Sequence, residues 1–565
     1  MIKRGNNKRS LKVRTFHSYG PVNAKRHFCV ERKDLIALCT KQLLGNINDD
    51  GHYFTIWGPR QTGKTWLFRQ CINAIKQQHS DQFIIGELSM QGLVFNEKDD
   101  PTETFFNSIP DVLQSAFSNQ TGSMKYKFVH TLLSIIKVFP KSHWHNLKTW
   151  KDWLNLFRKQ TGIFDRPLIL IIDEFDKLPN QIIENLVSLF REMYLNRNHY
   201  VLHSLALVGV RAVLGVESKS GSPFNIQRSL HIPNLSFDEV QRMFNQYQEE
   251  SKQAIEPVVI QKLYEKTQGQ PGLIGWFGEL LTQKYNENLD KPIDIKMWNR
   301  VYLCASEIEY NNTVQNIITK AINEYKSYAI QLFTDSNIHF SFRYNWCNYM
   351  YMHGMIGYDM VQDNNQMHHV CRFSSPFIQV CLYSAFVGEI KESQEHTILP
   401  LDPLDTLDDI IDYPTLNTKA LLERYKNYLN RLKENGINPW QNQPRRKKDH
   451  HLTEAVGHFH LYHWLKMALG IQSSIIPEFP TGNGKVDLHI EYQGKKGIIE
   501  IKSFTNANDA MLARTQSANY AKQTGYPDVT LAMFAPFTDI DTLNQLTVHD
   551  NIDGIDVNVV AIGQG

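Results

Sequence analysis

No run of 18 apolar residues occurs in this 565-residue chain, so no segment is long enough to cross a bilayer as a helix. No apolar stretch follows the basic start, so a secretory leader of the usual pattern is not expected. The seven cysteines, at 29, 39, 71, 304, 347, 371 and 381, include no C-x-x-C pair. That spacing excludes a zinc ribbon, and scattered, mostly apolar-flanked cysteines point to buried thiols in a reducing cytoplasm and not to disulfides. Net charge is nearly absent too: 60 Lys and Arg against 58 Asp and Glu leave +2. What charge there is lies unevenly. Lys3, Arg4, Lys8, Arg9, Lys12, Arg14, Lys25, Arg26, Arg32 and Lys33 stand against the single acid Glu31. Such an arm is either a phosphate contact or a solvated tail.

What is present is a globular composition, 42% hydrophobic and 21% charged, over a length that needs three or four cores. Tyr53-Phe54-Thr55-Ile56-Trp57 reads as a buried strand, followed by Gly58-Pro59-Arg60-Gln61-Thr62-Gly63-Lys64-Thr65 and an apolar helix from Trp66. This G-x-x-x-x-G-K-T run stands in the strand, loop and helix context that phosphate binding requires. Gly58 and Gly63 let backbone N–H groups wrap the phosphates, Lys64 neutralises the β/γ charge, and the Thr65 hydroxyl is a magnesium ligand.

A second buried strand, Leu168 to Ile172, ends in Asp173-Glu174. Asp173 is expected in the magnesium shell and Glu174 as the base that activates a hydrolytic water. A plain core strand with acids at its end has the same pattern. A third strand, Ser204 to Val210, ends in Arg211, where a γ-phosphate sensor would sit. Pro271, in Gly269-Gln270-Pro271-Gly272, either packs against a nucleotide's base or sugar or simply turns one helix into the next.

Together these elements resemble the AAA-like ATPases of the STAND class over positions 18–285. Gly20-Pro21-Val22 and Phe28…Glu31-Arg32 are similar to that family's adenine-side segment. Ser222 to Arg228, with Phe237 to Val240, is similar to its post-sensor segment and lid start. The resemblance implies ATP with Mg²⁺ as cofactor and a switch that stays ADP-bound until triggered. It also admits a homo-oligomer, with Arg228 a trans-acting finger or an ordinary surface arginine, and a partner protein as trigger.

Positions 296–388 place helices before Gly354-Met355-Ile356-Gly357 and a hairpin near Asp363-Asn364-Asn365, an order that looks like a winged helix. Its Phe342, Tyr344, Trp346, Tyr349 and Tyr351 either stack bases or pack a core. Positions 389–414, with Asp402, Asp405, Asp408, Asp409 and Asp412, read as an acidic linker, one able to shield a basic site. A helix follows at about 417–435, then Arg445-Arg446-Lys447-Lys448, a phosphate contact or a solubility run.

Further on, Val486-Asp487-Leu488-His489-Ile490 precedes Glu500-Ile501-Lys502 across a turn. Asp and Glu-x-Lys on adjacent strands suit a metal-dependent phosphodiesterase, because two carboxylates hold a divalent cation while lysine orients the attacking water. A turn centred on Gly494 and Lys495 predicts position 487 opposite about 502. Alternation puts Glu500 and Lys502 on one face and Ile499 and Ile501 in the core. A solvated hairpin with ordinary charges would look alike. Thr453-Glu454 opens an apolar helix through Phe459, Leu461, Trp464 and Leu465, so Glu454 adds a carboxylate in its first turn. Gln516 and Tyr520 share a helix face at i, i+4. Of His450, His451, His458, His460 and His463, only His458 shares the face of Glu454, and their spacing matches no zinc pattern.

The order Glu454, Gly484-Lys485-Val486-Asp487, Glu500-Ile501-Lys502, Gln516-x-x-x-Tyr520 resembles the RecB-like branch of the PD-(D/E)XK nucleases over positions 445–540, without a Pro before Asp487. The resemblance implies Mg²⁺ or Mn²⁺ held by Glu454, Asp487 and Glu500, with Lys502 orienting water. Gln516 and Tyr520 would contact nucleic acid, DNA ahead of RNA. The expected fold is multidomain α/β: a basic arm (1–17), a P-loop ATPase core with a parallel sheet (18–230), a helical lid (231–295), a winged-helix-like domain (296–388), an acidic linker and helix (389–444), and a restriction-endonuclease-like domain (445–565). The expected activity is ATP-regulated, metal-dependent phosphodiester cleavage, by analogy in prokaryotic genome defence or a mobile element. The other reading is a nucleotide-gated signalling or scaffold ATPase whose nuclease-fold domain only binds nucleic acid.

Overall fold

The computed structural model describes the chain outside residues 1–13, 21, 47–50, 80, 97, 119–146, 210–227, 334, 336, 364–365, 393–397, 404, 412–413, 442, 444, 446–451, 471–472, 479–486 and 565. The chain divides into two compact units, residues 1–307 and 308–565. In the first, helices and strands alternate: α1 (Lys33–Leu44), β1 (Tyr53–Trp57), α2 (Lys64–His79), β2 (Ile84–Ser89), α3 (Pro101–Ser118), α4 (Trp150–Leu156), β3 (Leu168–Asp173), α5 (Asn180–Leu195), β4 (Leu202–Gly209) and β5 (Arg228–His231). These five strands form one parallel sheet in the order β2-β3-β4-β1-β5.

A parallel sheet is covered by helices on both faces, so its strands are apolar throughout instead of alternating. β3 is buried from Leu168 to Ile172, and β4 along its whole length. Leu168, Leu170 and Ile172 pack with α3, α4 and α5. Ile169 and Ile171 face the other way, into a core shared with α1 and α2. This architecture is that of a P-loop ATPase core, with β4 seated between the strand that leads into the glycine-rich loop and the strand that ends in Asp173.

Four helices follow: α6 (Phe237–Ser251), α7 (Pro257–Thr267), α8 (Pro271–Glu279) and α9 (Ile295–Glu307). A sequence boundary at 295/296 assigns α9 to the next domain, but its Trp298 and Tyr302 rings pack on Phe277 of α8, with centroids 5.4 and 6.2 Å away. α9 is therefore the last helix of the first unit. The described part of the basic arm is bound as well. Arg14 donates to Glu250 of α6 at 2.8 Å, and Arg32 donates to Glu239 and to the carbonyl of Pro233. These two arginines are held by acids of α6 and do not belong to a solvated tail.

The second unit opens with α10 (Asn312–Gln331), α11 (Asn345–Met352), a hairpin of β6 (Ile356–Asp363) and β7 (Gln366–Phe373), and α12 (Pro376–Glu392). The aromatic stretch here is mostly packing: Trp346 stacks on Tyr328 at 4.4 Å, and the Tyr349 hydroxyl joins Lys320 to Glu324. Next come α13 (Asp408–Ile411), α14 (Thr418–Glu434), α15 (Glu454–Leu469), β8 (Ser473–Glu478), β9 (Asp487–Tyr492), β10 (Lys495–Ser503), α16 (Ala507–Thr524), β11 (Asp528–Ala535), α17 (Ile540–Leu546), β12 (His549–Ile552) and β13 (Ile555–Gly563). The six strands order as β12-β13-β11-β10-β9-β8, with β10, β11 and β13 parallel and antiparallel pairs outside them.

The two faces of this sheet carry different cargo. Ile499 and Ile501 of β10 pack with Leu488, Phe534 and helices α14 and α15, while Ile498 packs with α16. The β9–β10 hairpin turns at Gln493-Gly494, whose φ angles are 48° and 79°, so Lys495 pairs with Tyr492 and Glu500 with Asp487. A turn at Gly494-Lys495, and with it the 487-to-502 pairing, is incorrect. The two-residue turn with both central φ angles positive matches the strand twist, and here a glutamine accepts the first of them. The shift leaves the face assignment of Glu500 and Lys502 intact, because that follows from alternation along one strand.

The acidic stretch is not a linker. Asp405 and Asp409 pair with Arg424 of α14 at 2.9 and 2.8 Å, and the Trp464 indole N–H donates to the carbonyl of Pro400 at 2.9 Å. Ile410 and Leu416 lie in the same core as Ile499. Residues from about 398 onward therefore build the C-terminal sheet domain, which begins well before 445. Arg424→Ala leaves two acids without their cation and should destabilise this unit by roughly 1–3 kcal/mol. The expected signs are a lower urea midpoint and faster amide exchange over 400–411; unchanged exchange there would restore the linker reading.

Candidate functional site

The first site forms where β1 ends. Gly63 takes φ +89°, a conformation that favours glycine, and releases the chain into α2 at Lys64. The Lys64 ammonium donates to the carbonyls of Gly58 and Pro59 at 2.8 and 2.7 Å, so it lies within the curve of the loop. Thr65, one residue on, donates its hydroxyl to Asp173 Oδ2 at 2.9 Å. The other Asp173 oxygen accepts the backbone N–H of Glu174 at 2.9 Å. A hydroxyl and a carboxylate held together at the mouth of a phosphate loop are hard oxygen donors and fit Mg²⁺.

Burial sets the electrostatics here. It lowers the Lys64 pKa to about 8, against the pull of Asp176, Glu174 and Asp173, and it raises that of Asp173 against the hydrogen bond from Thr65. Glu174, with φ 57°, pairs with Lys177 Nζ at 3.4 Å across a partly exposed turn. Asp176 was not among the residues singled out by motif, although Asp173-Glu174-Phe175-Asp176 offered it. Its carboxylate presses on the end of β4, where a Cβ on Gly209 would come within 2.6 Å of Oδ1. Pro271 is the first residue of α8, whose N-cap Gln270 reaches the carbonyl of Arg60 in the loop at 3.4 Å. The helix that Pro271 opens thus abuts the loop. Arg211 lies outside the described residues.

The second site lies at one end of the C-terminal sheet, between β10, α15 and α16. Glu454 is the first residue of α15, and Lys502 Nζ reaches its Oε1 at 3.4 Å and Glu500 Oε1 at 3.8 Å. Glu500 is completely buried and the Lys502 side chain is partly exposed, at 18%. Burial raises the Glu454 pKa, with Lys502 opposing the rise. Register places position 487 directly across from Glu500, and directly opposed positions share a sheet face. The side chain of Asp487 is outside the described residues, as are Gly484, Lys485 and Val486. Among the described residues no group of three His, Cys, Asp or Glu side chains is gathered closely enough to hold a metal ion. The carboxylates of Glu454 and Glu500 are hard-oxygen donors of the type that Mg²⁺ or Mn²⁺ takes, and position 487 is in register with Glu500.

Lys502 also lines a cleft of about 250 Å³ with Ser503, Thr505, Asp509, Gln516 and Met533. Gln516 is thus brought beside Lys502, but Tyr520 is not a lining residue. Its hydroxyl lies 3.3 Å from Nε2 of His489, whose Nδ1 lies 3.2 Å from the Tyr526 hydroxyl. His489 was readable in the sequence, since alternation from Asp487 puts it on the same face. Arg445 bridges to Leu452, whose carbonyl accepts the Ser503 hydroxyl, so the start of the basic run runs beside the cleft. Arg446, Lys447 and Lys448 are outside the described residues. His458 and His460 are core residues instead of site residues: each is buried and bonded through Nδ1 to a tyrosine hydroxyl, Tyr383 at 2.7 Å and Tyr425 at 2.6 Å.

No family model and no curated protein matches the chain. Among solved structures it is similar to the Walker-type ATPase PABY2304 of Pyrococcus abyssi at 15% identity and TM-score 0.41, over 65% of this chain and 99% of that one. It is also similar to the Orc1 protein of Aeropyrum pernix, solved in complex with DNA, at 13% identity and TM-score 0.32, over 64% of this chain and 94% of that one. A third likeness is to the RuvB Holliday junction branch migration motor of Thermotoga maritima, at 12% identity and TM-score 0.31, over 53% of this chain and 78% of that one. Likenesses this remote transfer no activity. The P-loop assignment rests on the loop, the Thr65–Asp173 contact and the parallel sheet.

The Lys64 geometry makes a pH prediction. A lysine whose pKa is lowered to about 8 loses its proton as pH rises through 8. A triphosphate would bind the protonated form, so its Kd should rise roughly tenfold from pH 7 to pH 9 and stay level below pH 7. Fluorescent-nucleotide titration reads this; a flat profile would show that Lys64 remains charged throughout.

Proposed function

We propose that this protein is an ATP-regulated, metal-dependent nuclease, built as a STAND-type ATPase followed by a winged-helix-like segment and a PD-(D/E)XK domain. The observation that carries the reading is the position of Lys502, within 3.4 Å of Glu454 and 3.8 Å of Glu500, with position 487 across the strand. Glu454, Asp487 and Glu500 would hold Mg²⁺ or Mn²⁺. Bound there, the cation would lower the pKa of a water and polarise a phosphodiester. Lys502 would orient that water, and its positive charge would offset the charge that builds on the phosphate oxygens. Gln516, in the cleft beside Lys502, and the run Arg445 to Lys448 would contact the nucleic acid. DNA is the proposed substrate.

At the other site Lys64 and Thr65 would hold ATP with Mg²⁺, Asp173 would complete the magnesium shell, and Glu174 would release Lys177 to activate water. Arg211 would read the γ-phosphate and Pro271 the base side. A regulated pair of this kind suits prokaryotic genome defence or a mobile element. It works with a trigger protein, and with a second copy if Arg228 acts in trans.

A second reading has its own support. Lys502 already contacts both Glu454 and Glu500, an arrangement that suits a nuclease fold kept for binding nucleic acid under an ATPase switch. A cleavage panel of single-stranded DNA, double-stranded DNA and RNA, with Mg²⁺ or Mn²⁺ and with or without ATP, separates the two. Cleavage of DNA that falls by at least about 10³-fold in both Asp487→Ala and Lys502→Ala is expected. Cutting that persists in those variants, or no cutting with either metal, would sink the nuclease. Lys64→Ala should abolish or unleash cleavage; if it leaves the rate untouched, the ATPase serves targeting alone.

A further inference from the structure

α15, the helix that begins with Glu454, is buried on every side over its first half. Each residue from Ala455 to Leu461 is inaccessible or nearly so. One side lies on the C-terminal sheet, where Val456 and Trp464 share a core with Phe534. The other side meets the helices that precede the sheet domain: Phe459 packs against Phe333, Tyr383 and Phe386. A polar contact crosses that apolar seam, from the Tyr383 hydroxyl on α12 to Nδ1 of His458 at 2.7 Å. His458 is 1% exposed, and its Nε2 has no hydrogen-bond partner among the described residues. Burial pulls its pKa to about 3, so the ring is neutral and Tyr383 alone satisfies it. A buried polar group with one partner resists separation strongly, because breaking the bond strands the imidazole away from water.

His458 lies four residues, one turn, beyond Glu454 and on the same face of the helix. The Glu454–Lys502 contact is long at 3.4 Å, so a small slide or rotation of α15 would make or break it. We infer that Tyr383 and His458 are positioning residues, which hold Glu454 against Lys502 and couple its place to the α10–α12 segment. The inference rests on the reading of Glu454 as a metal ligand. An internal control exists on the same helix. Tyr425 of α14 bonds Nδ1 of His460 at 2.6 Å, similarly buried, but His460 faces away from His458 and lies about 120° around α15 from Glu454.

The test compares Tyr383→Phe with Tyr425→Phe in the full chain, each losing only a hydroxyl. Amide exchange over residues 454–459 reads the clamp without reference to metal, and Mn²⁺ titration reads Glu454. Tyr383→Phe should speed that exchange and weaken Mn²⁺ binding about tenfold, while Tyr425→Phe does neither at comparable thermal stability. Exchange unchanged in Tyr383→Phe, or changed equally in both, overturns the inference. Exchange faster in Tyr383→Phe alone, with no Mn²⁺ bound by the unaltered protein, upholds the clamp and removes the nuclease reading instead.

Discussion

Both sites depend on one constraint: a strand buried on both faces can carry charge only where it ends. β3 is apolar from Leu168 to Ile172 and β4 carries no Asp, Glu, Lys or Arg, and the chemistry of the first unit gathers at their carboxyl ends and at that of β1, in Asp173, Asp176, Lys64 and Thr65. β10 obeys the same rule less strictly. It is packed against helices on both faces, and Lys502 stands near its end beside α16. Interior polar groups would cost several kcal/mol each without partners, so the sheets push them outward to the edges where loops and helix starts meet.

Glu500 breaks that pattern. It is fully buried three residues inside the strand end, and the positive charge beside it is Lys502. Removing one member of a buried ion pair costs more than the pair contributes, because the survivor is left charged in a low-dielectric setting. The cluster of Glu454, Glu500 and Lys502 is therefore a poor device for stability alone.

Reach across the second unit is as important as the local cluster. Arg424 gathers Asp405 and Asp409, Trp464 caps the Pro400 carbonyl, and Ile410 and Leu416 enter the sheet core. An acidic stretch that has the composition of a spacer is thereby a structural layer. α15, buried on both sides, is the element around which this unit closes.

Local pattern was enough for much of this. The P-loop, the strand that ends in Asp173, the Glu500–Lys502 face and the helix start at Glu454 all follow from short-range periodicity and spacing, which report directly on 2.0- and 3.6-residue geometry. Long-range partners were not legible in that way. The hairpin register turned on whether Gln493 accepts a positive φ, Tyr520 was claimed by His489, and His458 by Tyr383. The acids at 405 and 409 looked like linker residues because charge composition carries no address. Only the packed chain brings Arg424 to them, since which opposite charges meet is decided by how helices and sheet bury their apolar faces.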